Sequence, residues 1–154
     1  MPLTRFGWDP DFEALFETCA HEGLVPGRVL TATREIYRLA TPHGELAGEL
    51  SGRLRFASDA PADLPAVGDW VAARAYPGDD LAVVDAVLPR RTALVRRAAG
   101  RRDEAQLLAA NVDLLLVAAP LGGDLRARRI ERFLALAREA GVPPAVVLTK
   151  ADLA

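Results

Sequence analysis

The sequence predicts a small β barrel followed by an incomplete α/β unit, and three observations carry that prediction. Five short β-prone stretches, broken by turn residues, lie between Leu24 and Pro89. Beyond Pro89 the order becomes strand, helix, strand, the pattern of a parallel βαβ unit. Net charge changes sign at the same place: residues 1–87 hold 7 Arg against 14 Asp and Glu, whereas residues 88–154 hold 12 basic against 7 acidic residues. The two halves differ electrostatically, which favours two small folding units over one, with the boundary near Pro89.

Asp9 before Pro10 fits an N-cap with proline at the first helical position, and Phe12, Leu15, Phe16 and Cys19 recur at helical spacing until Gly23 offers a stop. A helical extension is therefore expected within residues 1–23. Strands follow at Arg28 to Thr33, Ile36 to Ala40 and Glu45 to Leu50, separated by Arg34-Glu35 and by Pro42-His43-Gly44. A loop holding Pro61 and Pro65 leads to Trp70 to Ala75 and Ala82 to Leu88, paired around Pro77-Gly78-Asp79-Asp80. Five strands of this size suit an OB-type barrel over residues 24–89.

Residues 90–103 carry Arg90, Arg91, Arg96, Arg97, Arg101 and Arg102 with no acidic residue between them, which reads as a basic connector, a linker or mobile loop. Residues 104–154 then supply Leu114 to Ala118, a continuous apolar run suited to a strand covered on both faces. Pro120 to Gly123 form a loop, Asp124 can cap a helix, and Ile130, Phe133, Leu134 and Ala137 make its buried stripe until Gly141 and Pro143 end it. Ala145 to Leu148 is the second strand, reached by a crossover expected to be right-handed. One βαβ unit is too small for a domain, so its sheet calls for further parallel strands.

At 154 residues, 51% hydrophobic and 26% charged, the chain has the composition of a globular protein rather than a disordered one. No apolar run approaches the length of a membrane span, and MPLTRFGWDP lacks the basic head and apolar core of a signal peptide, so a cytoplasmic location away from membranes is expected. Cys19 is the sole cysteine, and His21 and His43 are the only histidines, which excludes a disulfide framework or a Cys/His zinc site built from this chain alone. Cys19 is expected in the core, and the histidines at a helix end and a turn without catalytic roles. Tyr37, Phe56, Trp70 and Tyr76 could stack on nucleic-acid bases but also suit core or rim positions, and Trp70 reads as a buried strand residue.

The chemistry concentrates where the second strand ends. Thr149, Lys150, Ala151 and Asp152 follow the apolar run, and ligands of open α/β sheets bind at the carboxyl ends of strands. Lys150 is the only lysine among 19 basic residues, so its position favours a slim ammonium over a planar guanidinium. An aspartate past a strand end can accept two hydrogen bonds from the N1 and N2 edge of guanine, a pattern adenine does not offer. Lys150 can lay its stem along a purine face, and Thr149 can fix the loop through its hydroxyl. Four such letters also arise by chance at strand ends. The arginine cluster likewise has two readings, an RNA-backbone contact or a solvated stretch of an arginine-rich chain.

Leu148-Thr149-Lys150-Ala151-Asp152 is similar to the guanine-specificity motif, usually Asn-Lys-x-Asp, of GTPases. The chain as a whole resembles the ribosome small-subunit-dependent GTPase family (RsgA, also called YjeQ), through VGDWVA at Val67 to Ala72, LPRR at Leu88 to Arg91, AANVD at Ala109 to Asp113 and RRIERFL at Arg128 to Leu134. The resemblance implies an OB barrel preceding a circularly permuted P-loop GTPase domain, in which this motif comes before the phosphate loop. It also implies binding of GTP or GDP with magnesium, hydrolysis stimulated by the small (30S) ribosomal subunit, a role in late subunit maturation, contact with its rRNA, and a monomer. Thr149 replaces the usual Asn, which puts in doubt the tie from this loop to the phosphate loop while leaving guanine selection to Asp152.

A phosphate loop GxxxxGK[ST] needs a lysine followed by Ser or Thr, yet Lys150 is followed by Ala151, and no Asp-x-x-Gly occurs. These parts, and the family's C-terminal zinc module, would lie downstream of Ala154. The expectation is an N-terminal fragment with no catalytic residue or metal ligand of its own and no GTP turnover alone, magnesium and zinc belonging to the missing part. The alternative is a non-enzymatic RNA-binding barrel whose βαβ tail is structural or docks on a partner, its apolar strand faces partly uncovered.

Overall fold

The computed structural model describes residues 1–19, 21, 23–33, 36–97, 105–121 and 126–153. Asp9 opens the first helix as its sequence suggests: Oδ1 accepts the backbone N–H of Asp11 at 3.1 Å and of Phe12 at 3.0 Å, and α1 runs Pro10–Cys19. Phe12, in its first turn, is the buried anchor. Cys19 is half-buried at the far end of the helix rather than in the core, because α1 has by then run two turns past that anchor. His21 is exposed just after α1 and His43 in a turn between strands.

Strands β1 (Val25–Ala32), β2 (Tyr37–Thr41), β3 (Gly44–Leu50), β4 (Trp70–Tyr76) and β5 (Leu81–Val87) close into a barrel in the order β1-β2-β3-β5-β4. Closure comes from the antiparallel β1–β4 pair, with Arg28 opposite Trp70, and from a parallel β3–β5 pair running from Ala47 opposite Leu81 to Leu50 opposite Val84. The stretch expected as a plain loop before β4 contains a helix, α2 (Gly52–Ala57), opened by Ser51, whose Oγ accepts the Leu54 N–H at 3.1 Å. Six residues are too few to display a helical period, so the local sequence concealed it.

Two apolar cores share β4. Successive side chains of a strand point to opposite faces, and β4 sends Val71 and Ala73 into the barrel with Val29, Tyr37, Leu39, Leu46 and Val84. Trp70 and Ala72 point outward against Phe12, Leu3 and Leu88. Both faces of β4 are covered, which is why four consecutive residues are buried. The Trp8 and Trp70 rings meet edge-on at 4.7 Å and Phe12 lies 5.8 Å from Trp70. Full burial of an aromatic of this size contributes roughly 2–3 kcal/mol. Trp70 is thus buried as expected, but under the N-terminal segment and not in the barrel lumen.

Part of the basic stretch after Pro89 is strand where its charge suggested a linker or mobile loop, and residues 98–103 lie outside the described residues. β6 (Ala93–Arg97) pairs antiparallel with β7 (Ala105–Ala110), and the buried Leu94 and Ala110 give this hairpin an apolar side. The apolar Ala93-Leu94-Val95, with Leu94 buried, forms the strand despite the arginines around it. Arg101 and Arg102 lie outside the described residues, as do the Arg34-Glu35 turn and Asp124 with its loop.

β8 (Leu115–Pro120), α3 (Ala127–Glu139) and β9 (Pro144–Thr149) form the βαβ unit, with parallel register from Leu115 opposite Pro144 to Pro120 opposite Thr149. Val117 and Ala119 are buried, and so is Ala137 of α3. Leu116, Val146, Val147 and Leu148 are exposed, so β8 alternates instead of being covered on both faces. α3 ends where the Val142 N–H bonds the Ala137 carbonyl across Gly141, whose φ of +68° suits glycine. Among the described residues no helix is long and apolar enough to cross a membrane.

Candidate functional site

Because β8 and β9 are parallel and in register, their carboxyl ends lie side by side, and the Leu121 N–H donates to the Thr149 carbonyl at 2.8 Å to tie the two exits together. Lys150 then takes a left-handed backbone, φ +56°, uncommon for a residue with a side chain, and the chain turns directly into a single 3₁₀ turn over Ala151–Leu153. That reversal sets Thr149, Lys150 and Asp152 on one exposed rim. None of their side chains is engaged in a hydrogen bond or ion pair among the described residues. A carboxylate and an ammonium held free on a strand-end rim can meet a ligand edge without first breaking internal bonds. Beside the same strand ends lies a cavity of about 470 Å³ lined by Val117 to Pro120, Arg126, Arg129 and Ile130.

A second polar cluster joins the barrel to the hairpin of β6 and β7. Asn111 is buried with φ +52°, and all its polar groups are used. Its Nδ2 donates to the Gly68 carbonyl at 3.0 Å, its Oδ1 accepts the Arg91 N–H at 2.8 Å, its N–H bonds the Thr92 carbonyl at 2.8 Å, and its carbonyl accepts from Arg28 Nη2 at 3.2 Å. Thr92 completes the joint with the backbone of Val112, accepting its N–H at 2.7 Å and donating to its carbonyl at 3.0 Å. Gly68, at φ +88°, lies so close to β7 that a Cβ there would stand 2.1 Å from the Ala110 carbonyl oxygen. The three segments read separately in the sequence as VGDW, LPRR and AANVD therefore meet at one place. Linear spacing gives no sign of that meeting, and only shared residue types, small, amide and charged, hint at it.

The arginines divide accordingly. Arg90 is turned inward: Nε and Nη2 hold the two oxygens of Asp69 at 2.8 and 2.7 Å, while Nη1 and Nη2 also donate to the carbonyls of Ala62 and Leu64. Arg91 grips both oxygens of Asp9 at 2.6 and 2.7 Å and lies 3.8 Å over the Phe12 ring. That guanidinium holds the Asp9 carboxyl down to about 2, and the pairing raises Arg91 in turn. Arg90 and Arg91, two of the six arginines expected to contact RNA, are thus paired with Asp69 and Asp9, carboxylates that sequence reading did not assign to them. Arg28 lies over Trp70 at 5.1 Å, where burial lowers its pKa against the pull of Asp113 and Asp69. A small cavity of about 170 Å³ sits here, lined in part by Asp9, Arg28, Arg91, Asn111 and Asp113. Arg96 is exposed on β6, and among the described residues its one side-chain hydrogen bond is a long one, 3.4 Å, to Gln106 Oε1.

This architecture, a closed five-stranded barrel leading into a parallel βαβ unit, is similar to that of solved structures. It superposes on YloQ, described as a circularly permuted GTPase, with a TM-score of 0.62 and 20% identity over 87% of this chain and 43% of that one. It also matches YjeQ from Thermotoga maritima at 0.60, with 21% identity over 85% of this chain and 43% of that one. The fold class is therefore that of barrel-led, circularly permuted GTPases. Sequence narrows the class: residues 87–154 match the RsgA GTPase family. The small ribosomal subunit biogenesis GTPase RsgA of Opitutus terrae is 44% identical over 99% of this chain and 44% of its own length, and that of Streptomyces avermitilis is 45% identical over 99% and 40%. The chain belongs to the RsgA family, and it spans about two-fifths of the length of these curated relatives.

Proposed function

We propose that this chain supplies the barrel and the base-reading corner of a GTPase that acts in maturation of the small (30S) ribosomal subunit. In this reading Asp152 accepts the N1–H and N2–H of guanine, Lys150 runs its stem along the purine, and Thr149 steadies the loop through its hydroxyl. The observation that supports it most is the free rim formed by these three residues at the paired carboxyl ends of β8 and β9, in a chain similar to proteins named for that activity. GTP hydrolysis depends on phosphate positioning by a phosphate loop and magnesium, and the only lysine here is followed by Ala151. Residues 1–154 accordingly contribute recognition of the base and no hydrolytic group. Among the described residues no three His, Cys, Asp or Glu gather as a metal site.

In the same reading the chain divides into an N-terminal helical extension (1–23), the barrel (24–89), the arginine-rich stretch (90–103) and the first part of the GTPase domain (104–154). Arg96, Arg97, Arg101 and Arg102 approach rRNA, while Arg90 and Arg91 support the joint. The protein works as a cytoplasmic monomer bound to the small subunit. The first test is to read the gene beyond the Ala154 codon for an in-frame GxxxxGK[ST] and Asp-x-x-Gly. The protein carrying them should prefer GTP to ATP by about tenfold or more. Equal affinity for the two nucleotides overturns the role given to Asp152.

A further inference from the structure

We propose that the face of α2 bearing Arg53, Arg55 and Phe56 is a contact for single-stranded RNA, in which Phe56 stacks on one base and the two arginines hold neighbouring phosphates. The proposal rests on the rRNA-binding part of the proposed function and adds to it a second surface, on the barrel and apart from the arginine-rich hairpin.

The four aromatics able to stack on bases are sorted by the fold. Tyr37 and Trp70 are buried at 3% and 0% exposure, and Tyr76 is 41% exposed but runs into the acidic turn at Asp79 and Asp80. Phe56 is 91% exposed, the most open large apolar side chain among the described residues. The cause is geometric. Leu54 is the one α2 residue packed against the barrel interior, and a helix turns by about 200° over the two residues to Phe56. Phe56 is therefore turned away from the core that α2 rests on.

A single exposed phenylalanine is ordinary on a protein surface. What separates Phe56 from that background is its company. Arg53 and Arg55 are both exposed, and neither joins an ion pair among the described residues, unlike Arg38, Arg90 and Arg91. An aromatic face flanked by uncommitted guanidiniums is the combination that single-strand binders use, stacking for the base and charge for the backbone. Arg55 also lines a recess of about 430 Å³ together with Ser58, Asp59 and Pro61. The Ser58 hydroxyl donates its proton to the Leu54 carbonyl at 2.8 Å, so its oxygen and the Asp59 carboxylate are both acceptors available to a base edge with an N–H to offer. The chain up to Val87 is acidic in balance, 14 acids against 7 arginines over residues 1–87, two of them Arg53 and Arg55, so any RNA affinity here depends on these few side chains.

The test is fluorescence anisotropy of the purified 154-residue chain with a labelled single-stranded RNA of about a dozen nucleotides, a length that covers a site of this kind. Phe56→Ala should weaken binding roughly five- to a hundredfold with the slope of log K against log salt unchanged, and Phe56→Trp should restore it. Phe56→Leu, apolar but unable to stack, should bind like Phe56→Ala. Replacing Arg53 and Arg55 with Ala should instead flatten the salt slope by about 0.7 for each phosphate no longer held. Parental affinity in Phe56→Ala or Phe56→Leu overturns the proposal, as does absence of RNA binding by the parent chain at low salt. If Phe56→Ala is neutral while alanines at Arg96, Arg97, Arg101 and Arg102 flatten the slope, this surface fails and the hairpin reading stands. The converse result sinks the hairpin and keeps Phe56. Because Phe56 is exposed, circular dichroism of each variant should match the parent.

Discussion

Arg90, after β5, and Asp69, just before β4, form a two-pronged ion pair, with Nε to Oδ1 at 2.8 Å and Nη2 to Oδ2 at 2.7 Å, around a carboxylate that has no solvent exposure. Asp69 also receives the Ala66 N–H, and its partner reaches the carbonyls of Ala62 and Leu64. Breaking a buried pair strands the remaining charge. Asp69→Asn should cost about 3 kcal/mol in urea unfolding. Arg90→Lys should also destabilise, because an ammonium lacks the planar fork that serves four acceptors at once. Wild-type stability in both variants would show that this pair does not hold the loop before β4.

A Cβ on Gly68 would stand 2.1 Å from the Ala110 carbonyl oxygen, which admits none, and its φ of +88° is itself unfavourable for alanine. Gly68→Ala should therefore part β7 from the barrel and lower stability by at least about 2 kcal/mol. Hydrogen exchange should locate the change at the Ala110 N–H, bonded to the Val67 carbonyl, before it reaches β2. Uniform exchange throughout would argue against a local clash.

Asn111→Ala removes the bonds to the Gly68 carbonyl and the Arg91 N–H and leaves a left-handed backbone without the side chain that tolerates it. A loss of about 2–4 kcal/mol is expected from two buried groups left unpaired. Asn111→Asp keeps one acceptor and should fall between. Thermal unfolding of the three proteins checks the order.

Asp9 both caps α1 and holds Arg91, and its carboxyl sits at about 2 instead of 3.8, chiefly through the Arg91 bond. A carboxyl depressed on folding favours the native state when ionised. The contribution is therefore complete above the ordinary value of 3.8 and is lost as pH falls toward 2. Trp8 and Trp70 lie in the contact that α1 makes with the barrel, so tryptophan fluorescence should report a step in this window. Asp9→Asn should abolish that step. A step of the same size in Asp9→Asn would assign it to another group.

For the strand-end rim, Asp152→Asn exchanges one of two acceptors for a donor. In the protein that carries the phosphate loop, it should weaken guanine nucleotides by about tenfold or more and improve binding of xanthine nucleotides, whose C2 oxygen now meets an N–H. Competition binding with GDP and XDP measures both. An unchanged GDP preference would place base recognition elsewhere.

The features legible in sequence were those encoded within a few residues. Asp9-Pro10 announced α1, turn residues punctuated five strands, and the run into Thr149-Lys150-Ala151-Asp152 marked a strand end with a polar rim. Each depends on caps, turns and alternation, which act locally. The hairpin of β6 and β7 was masked because its arginines outvoted three apolar residues, and α2 because six residues show no period.

What only the tertiary structure decided was which copies of a residue type serve which purpose. Arg90 and Arg96 are the same side chain six positions apart, yet Arg90 faces a buried carboxylate 21 residues away in sequence and Arg96 faces solvent. Phe56 and Trp70 are both aromatics near the same barrel, and the turn of a short helix exposes one while the pleat of β4 buries the other under α1. Pairing and burial arise from contacts between distant segments, and the sequence names the partners without stating which of them meet.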